Sequence, residues 1–385
     1  MRYYLIAGEA SGDLHGSNLI RELKKLDVSA DFRCWGGDLM QAAGGTLVKH
    51  YRDLAFMGFI EVIANLRTIM RNLRFCRKDI LTFSPDVLIL IDYPGFNLRI
   101  AEWAHQQQIK TVFYISPQVW AWKENRVQQI KKFVNKMLVI LPFEEAFYKK
   151  WNYEVEYVGH PLVEVVDQAV ASEPAVPAIS VSPLNDPHIV ALLPGSRRQE
   201  ISRKLPIMLE VSKLFPRHTF VVARAASLED SFYDNLMQSY PKVRSVRNKT
   251  YELLMNAKAA LVTSGTATLE TALFGVPEVV CYKGSNISYQ IAKRLIRIKY
   301  ISLVNLIMNK EVVKELIQND MNVKQVHAAL DQILHDQRVR EKMLLDFRHL
   351  KDILRKGGNA SANAAASIYR YTKKISAEKT AAAQG

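Results

Sequence analysis

The sequence lacks the glycine spacings that hold dinucleotides or triphosphates. No two glycines are two residues apart, which excludes the G-x-G-x-x-G fingerprint, and no glycine precedes a lysine, which excludes a Walker loop. The signatures His-Glu-x-x-His, Gly-x-Ser-x-Gly and Asp-x-Asp are also missing. Nicotinamide redox, P-loop hydrolysis, zinc proteolysis and serine-hydrolase chemistry therefore lose their usual support, and we expect neither a metal site nor a cofactor.

Cysteines and long apolar runs are also scarce. The three cysteines, Cys34, Cys76 and Cys281, show no C-x-x-C spacing, which argues against a disulfide framework or a zinc ribbon and favours a reducing cytosol. The apolar run at the N-terminus is too short for a signal peptide, and no stretch approaches the roughly 20 apolar residues of a membrane span. We therefore expect a protein that does not cross a bilayer.

The composition is that of a globular protein with an excess of positive charge. At roughly 150 residues per domain, 385 residues predict two domains. Hydrophobic residues make up 49% of the chain and charged residues 23%, which is typical of proteins with a packed core. Lys and Arg number 52 against 38 Asp and Glu, a net charge of +14 that predicts an acidic partner.

Short aliphatic runs alternate with amphipathic stretches along the chain. Such runs are typical of strands buried on both faces, and the alternation predicts parallel sheets. The predicted strands are residues 3–7, 87–91, 111–115, 137–141, 155–158, 189–193, 220–223, 259–262 and 279–282. The fold class is therefore α/β, with two Rossmann-like domains facing across a cleft and a helical C-terminus.

Prolines among small residues mark a break in this alternation and predict the domain boundary. We expect a first domain over residues 1–170, a linker over 171–188 and a second domain over 189–340. Helices over 341–385 are expected to pack back on the first domain, with residues 373–385 frayed because they show no apolar face.

Polar residues follow the predicted strands of the first domain. In open parallel sheets, ligands bind beyond the carboxyl ends of the strands, so these residues are site candidates. Two carboxylates, Glu9 and Asp92, follow the strands at residues 3–7 and 87–91 and are expected to point into the cleft. The alternative is structural: Asp13 and Asn97 cap helices, and Glu9 is solvated.

The second domain carries two loops of small residues, each of which follows a predicted strand. Free backbone amides and a helix N-terminus at such loops favour an anion, and a diphosphate fits. Arg197 would add a forked contact, and Glu270 could accept hydrogen bonds from ribose hydroxyls. The alternative is a pair of ordinary capping turns. The candidate residues are Gly195, Ser196, Arg197, Ser264, Gly265, Thr266, Ala267, Thr268 and Glu270.

Residues 57–80 have the periodicity of an amphipathic helix. The apolar stripe consists of Phe59, Ile63, Leu66, Met70 and Leu73. The basic stripe consists of Arg67, Arg71, Arg74 and Lys78. Such a helix can lie on an anionic membrane or bind an amphiphile. The alternative is a core helix with a solvated charged edge.

Several strings, in order over residues 5–320, together resemble the bacterial lipid A disaccharide synthase family, glycosyltransferases of the B-type fold with two Rossmann domains. They are Ala7-Gly8-Glu9-Ala10-Ser11-Gly12-Asp13, Met57-Gly58-Phe59-Ile60-Glu61-Val62, Ser116-Pro117-Gln118-Val119-Trp120-Ala121-Trp122, Leu141-Pro142-Phe143-Glu144, Val158-Gly159-His160-Pro161, Leu193-Pro194-Gly195-Ser196-Arg197, the run 264–270 and Val304-Asn305-Leu306. The Trp-Ala-Trp string is the most specific.

The resemblance implies an inverting, metal-independent transfer of 2,3-diacylglucosamine from its UDP derivative to 2,3-diacylglucosamine 1-phosphate. The products would be UDP and the disaccharide of lipid A, a part of lipopolysaccharide. The implied partners are these two substrates and the anionic inner membrane, with no nucleic acid, and a homodimer is allowed. The implied location is the cytoplasm, peripherally at the cytoplasmic face of that membrane.

Residue roles also follow from the resemblance. Asp92 or Glu9 would be the general base, while Arg197 and the amides of 264–268 would stabilise the departing diphosphate. The family adds Asn305, Glu315 and Gln318, either on the UDP side or as positions that close the cleft. On the acceptor and lipid side it implies Ser11, Met57, Phe59, Ile60, Ile63, Leu66, Arg67, Met70, Arg71 and Arg74.

Two points stay open in this interpretation. Many members read Asp-Ala-Pro-Asp-Phe-Asn where this chain has Asp92-Tyr93-Pro94-Gly95-Phe96-Asn97, so a second carboxylate is missing. His160 fits a catalytic role and a buried structural role equally well.

Rival functions are weaker. Another UDP-GlcNAc-type glycosyltransferase or an epimerase of this fold would share the anion loops but would not need the stripes of residues 57–80. A basic nucleic-acid-binding protein would fit the net charge, but no recognised nucleic-acid motif is present.

Overall fold

A computed structural model describes residues 1–54, 66–122, 124–172, 184, 186–284 and 298–384. The chain forms two compact units, one made of Met1–Pro161 with Leu354–Gly385 and the other of Leu162–Ile353. The boundary between the two units, after Pro161, therefore lies before the predicted linker at 171–188. Residues 173–183 and 185 of that linker lie outside the described residues.

The first unit is built on a parallel sheet of seven strands in the order β3-β2-β1-β4-β5-β6-β7. The strands are β1 (Arg2–Ala7), β2 (Asp31–Gly36), β3 (Thr46–His50), β4 (Val87–Ile91), β5 (Thr111–Tyr114), β6 (Lys136–Val139) and β7 (Glu156–Tyr157). The described helices of the first unit before Pro161 are α1 (Ala10–Leu26), α2 (Asp38–Ala42), α3 (Leu66–Phe83), α4 (Pro94–Gln106), α5 (Val119–Trp122), α6 (Arg126–Phe133) and α7 (Glu144–Lys149).

The second unit repeats this plan with six parallel strands in the order β10-β9-β8-β11-β12-β13. The strands are β8 (Ile189–Leu193), β9 (Thr219–Arg224), β10 (Arg244–Arg247), β11 (Ala259–Thr263), β12 (Glu278–Tyr282) and β13 (Lys314–Ile317). From residue 161 onward the helices are α8 (Pro161–Ser172), α9 (Arg198–Ser212), α10 (Asp230–Met237), α11 (Thr250–Asn256), α12 (Thr266–Leu273), α13 (Leu303–Met308), α14 (Val323–His335), α15 (Gln337–Arg355) and α16 (Ala360–Gln384).

The central strands form because their side chains are apolar on both faces. All residues of β4 and β8 are buried, as expected for a parallel sheet that is covered by helices on both sides. The predicted α/β class with parallel sheets is confirmed, and every predicted strand is present. The strands at 87–91 and 189–193 have the predicted ends, and the other seven have shifted ends. The sequence analysis missed β2, β3, β10 and β13, whose charged residues interrupt the apolar runs.

The last helix belongs to the first unit. α16 packs along α1, and its residues Ala364, Ala365 and Ile368 join the core that β1 and α1 form. Asn363 Nδ2 donates a hydrogen bond to the carbonyl oxygen of Val158 over 3.1 Å. The expectation that residues 373–385 fray is wrong as far as residue 384, because Ile375 is buried and the helix continues beyond it.

Candidate active site

The two candidate carboxylates leave neighbouring strands of the first sheet. β1 and β4 pair in parallel with Ala7 beside Ile91, so Glu9 and Asp92 follow within two residues of that pair. Glu9 stands at the N-cap of α1, and Ser11 is exposed in the first turn of the same helix. The structure therefore brings Glu9 and Asp92 together at the carboxyl edge of the sheet.

The backbone at Asp92 has an unusual conformation that its neighbours hold in place. Asp92 and Tyr93 have φ angles of 46° and 50°, which residues with a Cβ rarely adopt. Asn97, fully buried in α4, donates hydrogen bonds from Nδ2 to the carbonyl oxygens of Ile6, Ile91 and Asp92 at 3.3, 3.2 and 2.7 Å. Strained backbone that surrounding contacts maintain is typical of functional sites.

The electrostatics of Asp92 suit a proton acceptor. Burial, together with the nearby charge of Glu9, raises the pKa of Asp92 to about 6, while the backbone N–H of Tyr93 opposes both. A carboxyl group with a pKa near 6 is mostly ionised at neutral pH, yet it is more basic than an exposed aspartate. The arrangement can therefore accept a proton from a hydroxyl group.

The structural alternative for Asp13 and Asn97 needs correction. Asp13 is buried inside α1 and accepts hydrogen bonds from the backbone N–H groups of Gly37, Leu39 and Met40 at 2.8 to 3.1 Å. It thus caps α2, a helix that starts 25 residues further along the chain, and not the helix in which it lies. Asn97 caps no helix, because its amide binds the ends of two strands.

His160 is neutral at physiological pH. It is 3% exposed, and burial together with the neighbouring His15 lowers the pKa of His160 to about 3. Burial also lowers the pKa of His15, to about 4. A histidine with such a pKa cannot act as a general acid near pH 7, which favours the buried structural role.

Glu144 is a buried carboxyl group to which the sequence analysis gave no role. Its Oε2 accepts hydrogen bonds from the backbone N–H groups of Ile140 and Leu141 at 3.2 and 2.9 Å, directly after β6. Burial raises the pKa of Glu144 to about 7. Its place in the string Leu141-Pro142-Phe143-Glu144, just after a strand, was the available signal.

The predicted amphipathic helix is described from Leu66 onward as α3. Met57, Phe59, Ile60 and Ile63 lie outside the described residues, as does the side chain of Leu66. The buried face consists of Leu73, Cys76, Ile80 and Phe83. Met70, predicted on the apolar stripe with Leu73, is 43% exposed instead, because it lies about 60° from Leu73 toward the basic stripe.

The solvent face of α3 is basic and partly apolar. Arg67, Arg71, Arg74 and Lys78 are all exposed, and Phe75 and Leu81 are exposed beside them. Asp79, the acidic residue of this helix, is buried and pairs with Arg33. We refer to Arg67, Arg71, Arg74 and Lys78 as the basic face.

The two candidate anion loops of the second unit lie at one sheet edge. β8 and β11 are neighbours in which Leu193 pairs with Val262, so the loops that follow them are adjacent. Ser196 and Arg197 are exposed in the first loop, and Gly265 and Thr266 in the second. Gly195, with a φ of 117°, lies in a region that favours glycine, which explains the small residue at this turn.

The charged residues of these loops already have protein partners. Arg197 lies 3.3 Å from Glu200, measured between Nη1 and Oε1. Glu270, in α12, accepts a hydrogen bond from the Tyr251 hydroxyl over 3.1 Å, and burial raises the pKa of Glu270. Tyr251 thus fixes the side chain that we expected to face a ribose.

Asn305, Glu315 and Gln318 serve the scaffold around the end of the second sheet. Asn305 Oδ1 accepts the N–H groups of Val312 and Val313, and its Nδ2 donates to the carbonyl of Val313 and to Glu315. These bonds fill its hydrogen-bonding capacity. Asn305 therefore positions Glu315 in this structure, and the UDP-side role that the resemblance implies for it stays a prediction.

The carboxylate of Glu315 is similarly engaged. It accepts hydrogen bonds from the backbone N–H groups of Ile301 and Ser302 and from the Ser302 hydroxyl, all within 2.9 Å. Gln318 Oε1 accepts the N–H of Gly284 over 2.7 Å. These contacts tie β13 to the start of α13 and to the segment after β12.

Three further features of the described residues bear on the chemistry. Over the described ranges, no three His, Cys, Asp or Glu residues gather as a metal ligand set. None of the helices within the described residues combines the length and the apolarity that a membrane span needs. Cys34, Cys76 and Cys281 are buried and not in disulfides.

Comparison with known sequences places the chain in a family. A family model described as lipid-A-disaccharide synthetase matches residues 3–369. The chain belongs to the lipid-A-disaccharide synthase family. The Geobacter metallireducens lipid-A-disaccharide synthase is 39% identical over 362 residues, which cover 93% of this chain and 94% of that one. The synthase of Coxiella burnetii strain CbuG_Q212 is 36% identical and covers 95% and 97% of the two chains.

Solved structures show the same fold at low sequence identity. The Neisseria meningitidis UDP-GlcNAc 2-epimerase, bound to UDP-GlcNAc, has a TM-score of 0.67 at 13% identity, covering 97% of this chain and 100% of that one. The calicheamicin glycosyltransferase CalG4 has a TM-score of 0.61 at 16% identity, covering 97% and 99%. This lipid-A-disaccharide synthase family member thus has the B-type glycosyltransferase fold, and it is a glycosyltransferase of lipid A biosynthesis.

Proposed function

We propose that the protein condenses UDP-2,3-diacylglucosamine with 2,3-diacylglucosamine 1-phosphate and releases UDP. The 6-hydroxyl oxygen of the acceptor attacks the anomeric carbon of the donor, and a new β-1,6 bond forms on the opposite side from the leaving group. The bond from that carbon to the diphosphate breaks, and UDP departs with the electron pair. The anomeric configuration is inverted because there is a single displacement.

The observation that carries this proposal is the position and the raised pKa of Asp92. Asp92 directly follows β4, its carboxyl group has a pKa of about 6, and Asn97 holds its backbone in place. In the proposed reaction, Asp92 takes the proton of the attacking hydroxyl. Glu9 raises the pKa of Asp92 and so makes it a better proton acceptor at neutral pH.

The leaving group requires positive charge where negative charge develops. Arg197 and the backbone amides at the start of α12 would supply it without a metal ion, because both stand at the carboxyl edge of the second sheet. Glu270 would accept hydrogen bonds from the ribose, with Tyr251 fixing its orientation. Relatives of this fold, such as the Neisseria epimerase, bind UDP-GlcNAc, which supports a UDP-linked donor.

The basic face of α3 would bring the enzyme to its amphiphilic substrates. Both proposed substrates carry acyl chains, and the acceptor carries a phosphate, so both would partition to a membrane surface. Four exposed cations beside exposed Phe75 and Leu81 fit such a surface. We therefore propose peripheral association with the cytoplasmic face of the inner membrane. As a separate proposal, the assembly is a homodimer, which light scattering would test.

The test is incubation with both diacylated sugars, followed by mass spectrometry of the products. The proposal predicts equimolar UDP and a tetraacylated disaccharide 1-phosphate whose new linkage is β by NMR. Formation of an epimerised UDP-sugar, with no disaccharide, would replace this function by that of an epimerase. Adding a chelator is the control for metal independence, and turnover is expected to stay unchanged.

A further inference from the structure

Lys204 is a fully buried cation in the second unit. Its side chain, in the second turn of α9, is 2% exposed. Lysine is almost never buried to this extent unless it is paired, because removing an ammonium group from water is costly. The ammonium group donates a hydrogen bond to Oγ1 of Thr263 and lies 3.6 Å from Oε2 of Glu200.

The ammonium group lies directly behind both candidate anion loops. Thr263 ends β11, immediately before the loop that starts at Ser264. A Cβ atom added to Gly195, in the other loop, would be 3.5 Å from Nζ of Lys204. A single buried positive charge thus stands at the base of the two loops, at the carboxyl edge of the sheet.

Lys204 is also linked to Arg197 through Glu200. One carboxylate oxygen of Glu200 faces Lys204, and the other lies 3.3 Å from Arg197. The three side chains carry two positive charges and one negative charge. If Lys204 were neutral, Glu200 would balance Arg197 alone, and the group would have no net charge with which to attract an anion.

We propose that Lys204 is a positioning residue for the diphosphate of the donor. Its positive charge offsets the negative charge of Glu200, so that Arg197 keeps a net attraction for the diphosphate. Its hydrogen bond to Thr263 also fixes the start of the loop that follows β11. This inference rests on the proposed function, in which these loops hold the diphosphate. We expect Lys204 itself to make no contact with the substrate, because its side chain is only 2% exposed.

The experiment measures binding of UDP and of uridine by calorimetry, with uridine as the probe that lacks phosphate. For Lys204→Met we expect UDP affinity to fall roughly tenfold, while uridine affinity stays unchanged. In the double variant Lys204→Met/Glu200→Gln, the charge that opposes Arg197 is also gone, so most of the UDP affinity should return. A residue that serves only folding would show no such rescue.

Two further variants keep the test interpretable. Lys213→Met, at the C-cap of the same helix, removes an exposed lysine that pairs with Glu210, and it should leave both affinities unchanged. Glu200→Gln alone, with Lys204 present, should bind UDP a few-fold more tightly than the wild type. This single variant tests the proposal even if Lys204→Met does not fold.

Each outcome has a separate meaning. Unchanged UDP affinity in Lys204→Met, or an equal loss of UDP and uridine binding, would overturn the role of Lys204. Weaker UDP binding by Glu200→Gln would overturn it as well. A wild-type protein that fails to bind UDP at all would instead refute the proposed donor site.

Discussion

The side-chain amide of Asn97 donates a hydrogen bond to the backbone carbonyl oxygen of Asp92 over 2.7 Å. The same amide also binds the carbonyl oxygens of Ile6 and Ile91, so one side chain closes the ends of β1 and β4. Asn97→Asp keeps the shape but places carboxylate oxygens against three carbonyl oxygens. We expect this buried repulsion to lower the free energy of unfolding by about 3 kcal/mol.

Urea denaturation measures this loss. The control is Asn319→Asp, an exposed position in the second unit, where the same chemical change should cost almost nothing. Equal stability of the two variants would mean that Asn97 does not hold the strand ends together.

Asp92→Asn is predicted to reduce turnover by a factor of about 10² to 10⁴, because an amide cannot accept the hydroxyl proton. UDP affinity should change little, since the nucleotide is proposed to bind the other unit. The measurement is steady-state kinetics with both diacylated sugars. Glu9→Gln is the matched control, with a smaller loss expected. A nearly normal Asp92→Asn beside an inactive Glu9→Gln would transfer the role of base to Glu9.

The pH dependence of kcat/KM should show an acid limb near pH 6. Burial and Glu9 both raise the pKa of Asp92, so the base becomes protonated and inactive as the pH falls through about 6. Glu9→Gln removes one of these two causes. The limb of that variant should therefore move to lower pH, and a limb that stays in place would show that another group titrates there.

Reversing the charges of the basic face is expected to release the protein from anionic vesicles. Each exposed cation near such a surface contributes about 1 kcal/mol, so replacing Arg67, Arg71, Arg74 and Lys78 by Glu should abolish co-sedimentation at low salt. The control replaces four exposed cations elsewhere in the first unit, Lys131, Lys132, Lys149 and Lys150, by Glu. Similar release by both variants would indicate attraction by net charge and not by α3.

Glu278 is predicted to destabilise the protein at neutral pH. It is fully buried at the start of β12, and neither carboxylate oxygen has a hydrogen-bond partner in the part of the chain that the structure describes. Burial raises the pKa of Glu278 well above its usual value. The folded state therefore binds a proton that the unfolded state has released above about pH 4.5, and stability falls as the pH rises above that value.

Glu278→Gln removes this titration and should unfold at higher urea concentration than the wild type. The difference should be larger at pH 8 than at pH 5, because the proton is more costly to bind at pH 8. A constant difference between the two pH values would contradict a protonated Glu278.

The sequence predicted those parts of the fold that depend on local pattern. The aliphatic runs of β4 and β8 have few alternatives to a buried parallel strand, so the residues after them could be singled out as site candidates. Arg33 in β2 and Lys49 in β3 interrupt such runs, and those strands are recognisable only once their neighbours are in place. The exposure of Met70 could not be predicted for a similar reason. Helical periodicity groups residues on one face, but it does not show where the buried part of that face ends.

Interactions between distant segments could not be predicted. Asp13 caps a helix that starts 25 residues later, and nothing near it in the sequence indicates that partner. Lys204 resembles any lysine of an amphipathic helix until β11 places Thr263 beside it. The roles of Asn305 and Glu315 likewise depend on β13, which the sequence analysis did not predict.

The first unit is assembled from two separate stretches of chain, residues 1–161 and 354–385. During synthesis, the segment that carries α16 leaves the ribosome only after the whole second unit. The surface of α1 that α16 covers therefore stays exposed to solvent while nearly 200 residues are translated. The second unit has no such delay, so it can complete its fold first, although it comes later in the sequence.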